Sequence, residues 1–205
     1  MTAEVAPTER AAQFRFTFPQ SDDAHILLDG LAGGSMVKVD VKNRRITGYV
    51  RNNNGGVPDN FHNYFVAEFD RDFTLARTWA GDNQPTNELA REGGHVGAVL
   101  SFKTKKGDKV HVRVASSFIS PEQALLNLRS EIGSDSFEAT QAKAKAAWEK
   151  ELSRIRVTDP DPEKVRTFYS SLYRMLQFPR MFHEKDANGK IVHYSPYDGK
   201  VHDGY

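Results

Sequence analysis

The sequence predicts a protein that is β first and α second, with an antiparallel β-sandwich followed by helices. Before residue 120, short segments of alternating apolar and polar residues are separated by turn residues, a spacing typical of antiparallel sheets. From Ser120 onward the apolar residues recur at helical spacing, as expected for amphipathic helices. With 39% hydrophobic residues among 205, the chain is long enough to bury a sizeable core.

The predicted strands share an alternating pattern that is rich in β-branched and aromatic residues. They are His25–Leu28, Val37–Val41, Arg45–Val50, Tyr64–Phe69, Val96–Phe102 and Val110–Val114. Turns are expected at Gly33-Gly34, at Asn52–Gly56 and at Lys106–Asp108, because these residues favour turn conformations. The stretch from Asp70 to Gly94 is long for a connection, and we predict one strand and an exposed loop there.

Three helices are predicted from their starting residues. Ser120, Pro121 and Gln123 form the pattern of a capping box, and Gly133 is a suitable stop. A second helix is expected from Ser134 to about Ser153. Its apolar stripe comprises Phe137, Ala144, Trp148 and Leu152. A third helix should be capped by Asp161 and extend to Phe178, with a loop from Pro179 onward.

Composition excludes several classes of protein. There are 28 Lys and Arg against 27 Asp and Glu, and this near balance argues against a dedicated nucleic-acid binder. The absence of Cys excludes disulfides, thiolate catalysis and Cys-ligated zinc. No stretch approaches the roughly 18 apolar residues of a membrane span. We therefore expect neither a nucleic-acid nor a membrane partner.

Few residues suggest chemistry by themselves. Asp186–Gly189 is interpreted as a turn and not as a calcium loop, because further alternating oxygen ligands and a closing Glu are missing. His183, His193 and His202 lack the spacing typical of zinc ligands, so we expect exposed or hydrogen-bonded loop histidines. Trp79 is the one candidate substrate-binding residue, since its ring can stack on a sugar or pack in a core. No catalytic or metal-ligating residue is assigned.

Several segments together resemble glycoside hydrolase family 92, the calcium-dependent exo-acting α-mannosidases. Their order and spacing cover about residues 14–205. The matching segments are Thr17–Pro19, Ala24–Asp29, Ile46–Tyr49, Tyr64–Phe69, Val114–Ser120, Ala124–Leu128, Phe168–Arg174 and Tyr197–His202. The loop from Asn52 to Asn60 departs from the family, because it lacks a Trp that is often found there.

The resemblance implies a partial β-sandwich domain over 1–119, linker helices over 120–158 and the truncated start of an (α/α)6 catalytic barrel over 159–205. The family's active site lies where the two domains meet. A Trp-Asp-Thr-Tyr-Arg motif, the general acid, the general base and the calcium ligands would follow downstream of Tyr205. The chain is thus expected to be an internal fragment that is inactive alone and lacks the remainder of its own barrel.

The activity implied is removal of terminal α-linked mannose, with α-1,2 chosen from its frequency in the family, by an inverting, calcium-dependent mechanism. The partner would be a mannose-containing glycan such as an N-glycan, and the full-length protein would be periplasmic or secreted, although Met1–Glu9 has no apolar signal segment. The alternative from a different class is a non-catalytic carbohydrate-binding or scaffolding β-sandwich module. Under the family 92 interpretation, the barrel is truncated, so the apolar stripe of the third helix would lack the barrel helices that should cover it.

Overall fold

The computed structural model describes residues 1–178 and 180–205. Within these ranges the chain forms eleven strands and three helices. The strands are β1 (Thr2–Pro7), β2 (Ala11–Thr17), β3 (Ser21–Asp40), β4 (Arg45–Val50), β5 (Asn63–Phe69), β6 (Leu75–Ala80), β7 (Ala90–Thr104), β8 (Lys109–Ser117), β9 (His183–Lys185), β10 (Ile191–Tyr194) and β11 (Val201–Asp203). The helices are α1 (Pro121–Glu131), α2 (Phe137–Leu152) and α3 (Pro162–Met175). This β-then-α order confirms the predicted fold class.

The first eight strands form one antiparallel sheet in the order β1-β2-β8-β5-β4-β3-β7-β6. Strands lie about 4.8 Å apart, so β5 and β7, three steps apart in this order, would be separated by about 14 Å in a flat sheet. Instead, the rings of Phe69 on β5 and Phe102 on β7 lie 6.2 Å apart. The sheet therefore folds back on itself, and the core lies between its two layers, as in a sandwich.

The long strand β3 explains how the sheet folds. Two separate strands with a turn at Gly33-Gly34 were predicted, and this was wrong. One strand of 20 residues is present, and its pairing with β7 shifts register between Asp29 and Ser35. Leu31, Gly33 and Gly34 have positive φ, which inserts bulges and bends the strand without ending it.

The sequence analysis missed β1 and β2, which pair with each other and join the sheet through β8. Val5 on β1 is 54% exposed, so this edge strand has only a weak apolar alternation. The predicted hairpin turn at Lys106–Asp108 is present between β7 and β8. The stretch from Asp70 to Gly94 contains β6, an exposed loop and the beginning of β7.

α1 and α3 begin at their predicted caps, Ser120 and Asp161, whereas α2 begins after Ser136 and not at the predicted Ser134. The hydroxyls of Ser120 and Ser136 accept from the amides of Gln123 and Ala139, and the Asp161 carboxylate caps α3. α1 packs on the outer side of the sheet through a small apolar cluster. The cluster comprises Ala11, Val66, Ala115, Ala124, Leu128 and Ile132. α3 has no buried residue and ends at Met175, three residues before the predicted end.

A loop was expected from Pro179 onward. Pro179 itself lies outside the described residues, and the expectation was wrong for the three strands that follow it. β9, β10 and β11 form a three-stranded antiparallel sheet, called here the small sheet. Its first turn is the predicted one, because Asp186 accepts from the amides of Asn188 and Lys190, and Gly189 has a φ of 78°. Three short strands suffice because the sheet rests on the sandwich. None of the helices described is long and apolar enough to cross a membrane.

Candidate functional site

An aromatic cluster joins the sandwich to the small sheet. Phe61, in the β4–β5 loop, stacks on Phe118 with ring centroids 5.6 Å apart and lies 6.0 Å from Tyr194 of β10. The ring of Phe182 also lies against Phe118, with centroids 5.5 Å apart. Aromatic pairs at these separations favour association beyond the area that they bury. We call the region built on this cluster the junction.

The side-chain amide of Asn60 connects the two sides of the junction. Asn60 donates through Nδ2 to the carbonyl of Gly199 at 2.8 Å. Its Oδ1 accepts from the hydroxyl of Tyr194 at 3.1 Å, and burial raises the pKa of that hydroxyl. The β4–β5 loop therefore positions both β10 and the turn that leads to β11.

A buried carboxylate lies beneath the small sheet. Glu184 of β9 is 2% exposed, and no ion pair to it is formed within the described ranges. Its Oε1 accepts from the Ser117 hydroxyl at 2.9 Å and from the Phe118 amide at 3.0 Å, and its Oε2 accepts from Asn127 at 2.6 Å. Charge-assisted hydrogen bonds of this kind offset the cost of burying the charge.

Polar side chains of α1 complete this anchor. Gln123 and Asn127 are both buried and hydrogen-bond to each other at 3.1 Å. Gln123 also donates to the carbonyl of Lys185 at 2.7 Å, so it does not reach back to its own cap as the capping-box pattern predicts. The sequence analysis missed this network. Two amides spaced by four residues on the apolar face of α1 were the available signal, because buried polar groups need partners.

The three histidines lie closer together than the sequence predicted. His183, His193 and His202 occupy directly opposed positions on β9, β10 and β11, so they form one row across the small sheet. His193 Nδ1 lies 2.9 Å from the carbonyl of Gly204, and His202 Nε2 lies 2.8 Å from Asp198. The rings of His193 and His202 are hydrogen-bonded, as expected, but all three histidines belong to a sheet and not to a loop.

Asp198 is the most perturbed carboxylate of the junction. The hydrogen bond from His202, together with those from the Lys200 amide and Ser195, lowers the pKa of Asp198 to about 2. The carboxylate is therefore ionised at every physiological pH. Asp198 and His202 are both exposed, and together they offer hydrogen-bonding groups to a polar ligand.

Two polar clefts flank α1. One, of about 490 Å³, lies between α1 and the small sheet, and Arg10, Glu131 and His183 are among its lining residues. Arg10 donates to the carbonyl of His183 at 2.5 Å and to Glu131 at 3.2 Å. The other, of about 560 Å³, contains the ion-paired Glu68.

Glu68 in the second cleft is held by two arginines. Burial acts to raise the pKa of Glu68, but hydrogen bonds from Arg129 and Arg45 outweigh it and lower that pKa. Arg129 belongs to α1 and Arg45 to β4, so the carboxylate of β5 ties the helix to the sheet. Both oxygens of the carboxylate already accept from arginine side chains. The role of Glu68 is therefore to hold α1 against the sheet.

Trp79 lies apart from the junction. It is on the edge strand β6, opposite Gly97 of β7, in the layer that α1 does not cover. Its side chain is partly exposed, so it belongs to a strand and not to the exposed loop of this region. Its role in substrate binding stays a prediction.

In the described ranges, no three His, Asp or Glu side chains are grouped so that they could hold a metal ion. The carboxylate of Glu184 is fully occupied by its donors, and that of Asp198 is held by His202. These contacts suit the junction to positioning two parts of a protein against each other.

Comparison with known families identifies the class first. The model of the glycosyl hydrolase family 92 N-terminal domain matches residues 1–117, and the model of the family 92 catalytic domain matches residues 123–205. The chain thus spans the boundary between two domains of a glycosyl hydrolase, and the junction described above lies at that boundary. The chain belongs to glycosyl hydrolase family 92. These matches do not separate linker helices from a barrel, so the division at residue 158 stays a prediction.

Solved structures agree with the family. The inverting mannosidase BT2199 of Bacteroides thetaiotaomicron is 41% identical with a TM-score of 0.93, over 98% of this chain and 27% of that one. The α-mannosidase BT3965 of the same organism is 30% identical with a TM-score of 0.83, over 99% of this chain and 28% of that one. The latter is also known in complex with mannoimidazole.

A family 92 glycosyl hydrolase named ccman5 is 24% identical with a TM-score of 0.79, over 98% of this chain and 28% of its own, which shows the fold. This chain therefore spans little more than a quarter of the length of these structures. No match was found among the curated proteins.

Proposed function

We propose that this chain is the domain-boundary segment of an α-mannosidase that removes terminal α-linked mannose from glycans with inversion. The observation that carries the proposal is the 41% identity to an inverting mannosidase over 98% of this chain. The matches to both an N-terminal and a catalytic domain model support it. The α-1,2 linkage is proposed from the frequency of that specificity in the family.

The part that this segment performs is the positioning of the two domains. Glu184, Asn127 and Asn60 connect the small sheet to α1 and to the sandwich. An inverting glycosidase needs two carboxyl groups roughly 6.5–9.5 Å apart, with water between one of them and the sugar. We assign neither carboxyl to this chain and propose that the chain alone is inactive.

Calcium dependence is part of the proposal for the whole enzyme. A calcium site takes six to eight oxygen ligands, whereas the described residues contain no group of three acidic or histidine side chains suited to a metal. The described residues therefore do not fit a calcium site, and no step is assigned to the ion here. The ligands are proposed to lie elsewhere in the enzyme.

The whole enzyme tests this proposal with α-1,2- and α-1,3-linked mannobiose. We expect faster release of mannose from the α-1,2 substrate, a first product with the inverted anomeric configuration by NMR, and loss of turnover with a chelator. A retained anomer, or turnover unaffected by the chelator, would contradict the mechanism. The 205-residue chain is the matched control, and turnover by it alone would overturn its proposed inactivity.

The partner and the cellular location of the whole enzyme are part of the same proposal. We propose a mannose-containing glycan, such as an N-glycan, as the partner, and a periplasmic or secreted location for the full-length protein. Fractionation of cells that express the full-length protein tests the location, and enzyme confined to the cytoplasm would contradict it.

A further inference from the structure

The outer face of β3, β7 and β6 lies on the layer opposite α1. Residues at directly opposed positions share a face, so Asp29, Gly97 and Trp79 form one row across these strands. The next row comprises Leu27, Val99 and Arg77. We call these two rows the outer face.

Trp79 covers the glycine in the middle of its row. A Cβ at Gly97 would lie 2.1 Å from the nearest ring atom of Trp79, so the indole occupies the space that any larger side chain would take. Gly97 is buried, although it belongs to an outward-facing row, and Trp79 remains partly exposed. The glycine thus lets the ring lie close to the sheet while part of it still faces solvent.

Polar groups flank this ring. Asp29 lies two strands away, which places it about 10 Å from Trp79 at ordinary strand spacing. Its carboxylate accepts from Leu31 N at 2.8 Å and lies 2.7 Å from His95 Nε2. The side chains of Asp29 and His95 are 51% and 40% exposed, so their remaining hydrogen-bonding capacity faces solvent.

Arg77 lies on the same face and is partly exposed. Its Nε has no hydrogen-bond partner among the described residues but is itself buried, so a ligand would meet the terminal N–H groups of the guanidinium. Donors of this kind suit the hydroxyl oxygens of a ligand.

We propose that the outer face is a non-catalytic binding site for a glycan, with a pyranose ring on Trp79 and its hydroxyls on Arg77 and Asp29. An aromatic ring beside a carboxylate and a guanidinium suits a ligand that is apolar on its ring face and polar at its edge. Leu27, 64% exposed, extends the apolar part of the face. The choice of a mannose-containing glycan rests on the proposed function, whereas the choice of a carbohydrate rests on this geometry.

An NMR titration of the ¹⁵N-labelled chain with α-1,2-mannobiose tests the site. We expect millimolar affinity, with shift changes at the indole N–H of Trp79 and at the amides of Gly97 and Asp29. Trp79→Ala should weaken binding about tenfold, the loss of one stacking contact. Trp148→Phe, in the other tryptophan of the chain, is the control and should bind as the wild type.

Arg77→Met keeps an apolar stem in place of the side chain but removes its donors, so it tests the site even if Trp79→Ala does not fold. Unchanged affinity in Arg77→Met, no shift changes on the outer face, or changes confined to the junction would overturn the proposal. Equal binding of cellobiose would overturn the choice of mannose. The readout is binding and not hydrolysis, so its failure is distinguishable from failure of the proposed function.

Discussion

The side chain of Asn60 occupies the space beside Gly199 that a Cβ would need. A Cβ built on Gly199 would lie 2.4 Å from Oδ1 of Asn60, and Asn60 Nδ2 donates to the carbonyl of the same glycine. The loop of one family domain and a turn of the next are thereby fitted to each other across 139 residues of sequence.

Gly199→Ala is expected to destabilise the junction for two reasons. Gly199 has a φ of 70°, and a left-handed conformation costs an L-residue about 1–2 kcal/mol. The contact with Asn60 adds to this cost. Gly204→Ala is the matched control, because Gly204 has a φ of 89° and no atom within 4 Å of its Cβ position. Equal losses of unfolding free energy in the two variants, measured by urea unfolding, would show that the contact with Asn60 adds no strain.

Glu184→Gln should lower the free energy of unfolding by about 1–3 kcal/mol. Both carboxylate oxygens now accept hydrogen bonds, and the amide NH₂ that replaces one of them would point its hydrogens at a hydrogen-bond donor. Glu149→Gln on α2 is the control, since that side chain is 66% exposed and surface changes stay within about 0.5 kcal/mol. Urea unfolding followed by circular dichroism measures both. Indistinguishable midpoints would mean that the carboxylate does not anchor the small sheet.

The pKa of Asp198 should depend on His202. Replacing His202 by Asn removes the largest cause of the lowered value, so the pKa should rise from about 2 toward its ordinary value of 3.8. The sign follows from linkage: a lowered acid pKa stabilises the fold above the unfolded value, and that contribution is lost as pH falls from 3.8 toward 2. Carboxyl-carbon NMR titration measures the pKa, with His25→Asn as the control. A pKa that does not move in His202→Asn would assign the shift to Ser195 and the Lys200 amide.

α3 should be less protected than the core strands. It has no buried residue, and its described aromatic contact with α2 is between Tyr173 and Trp148, with ring centroids 4.5 Å apart. Exposed apolar side chains forgo roughly 1.5–3 kcal/mol each, so we expect self-association of the chain or fast amide exchange over 168–176. Protection equal to that of 110–114 in a monomeric sample would contradict this expectation.

Local sequence was sufficient for part of the fold. The helices start at Ser120, Ser136 and Asp161, whose side chains hydrogen-bond to amides no more than three residues away. Such contacts depend on local sequence alone, and the predicted start of the second helix differs from the observed cap by only two residues. The turn at Asp186–Gly189 is likewise local. The change from a two-residue to a helical period after residue 119 determined the order of β and α.

Tertiary structure decided the rest. The sequence could not show that β3 continues through Gly33-Gly34, because its pairing with β7 maintains the strand past the bulges. Nor could it join Glu184 to Asn127, or Asn60 to Gly199, since these partners are 57 and 139 residues apart. Contacts of that range form only when the sandwich and the small sheet pack together, and the candidate site consists of such contacts.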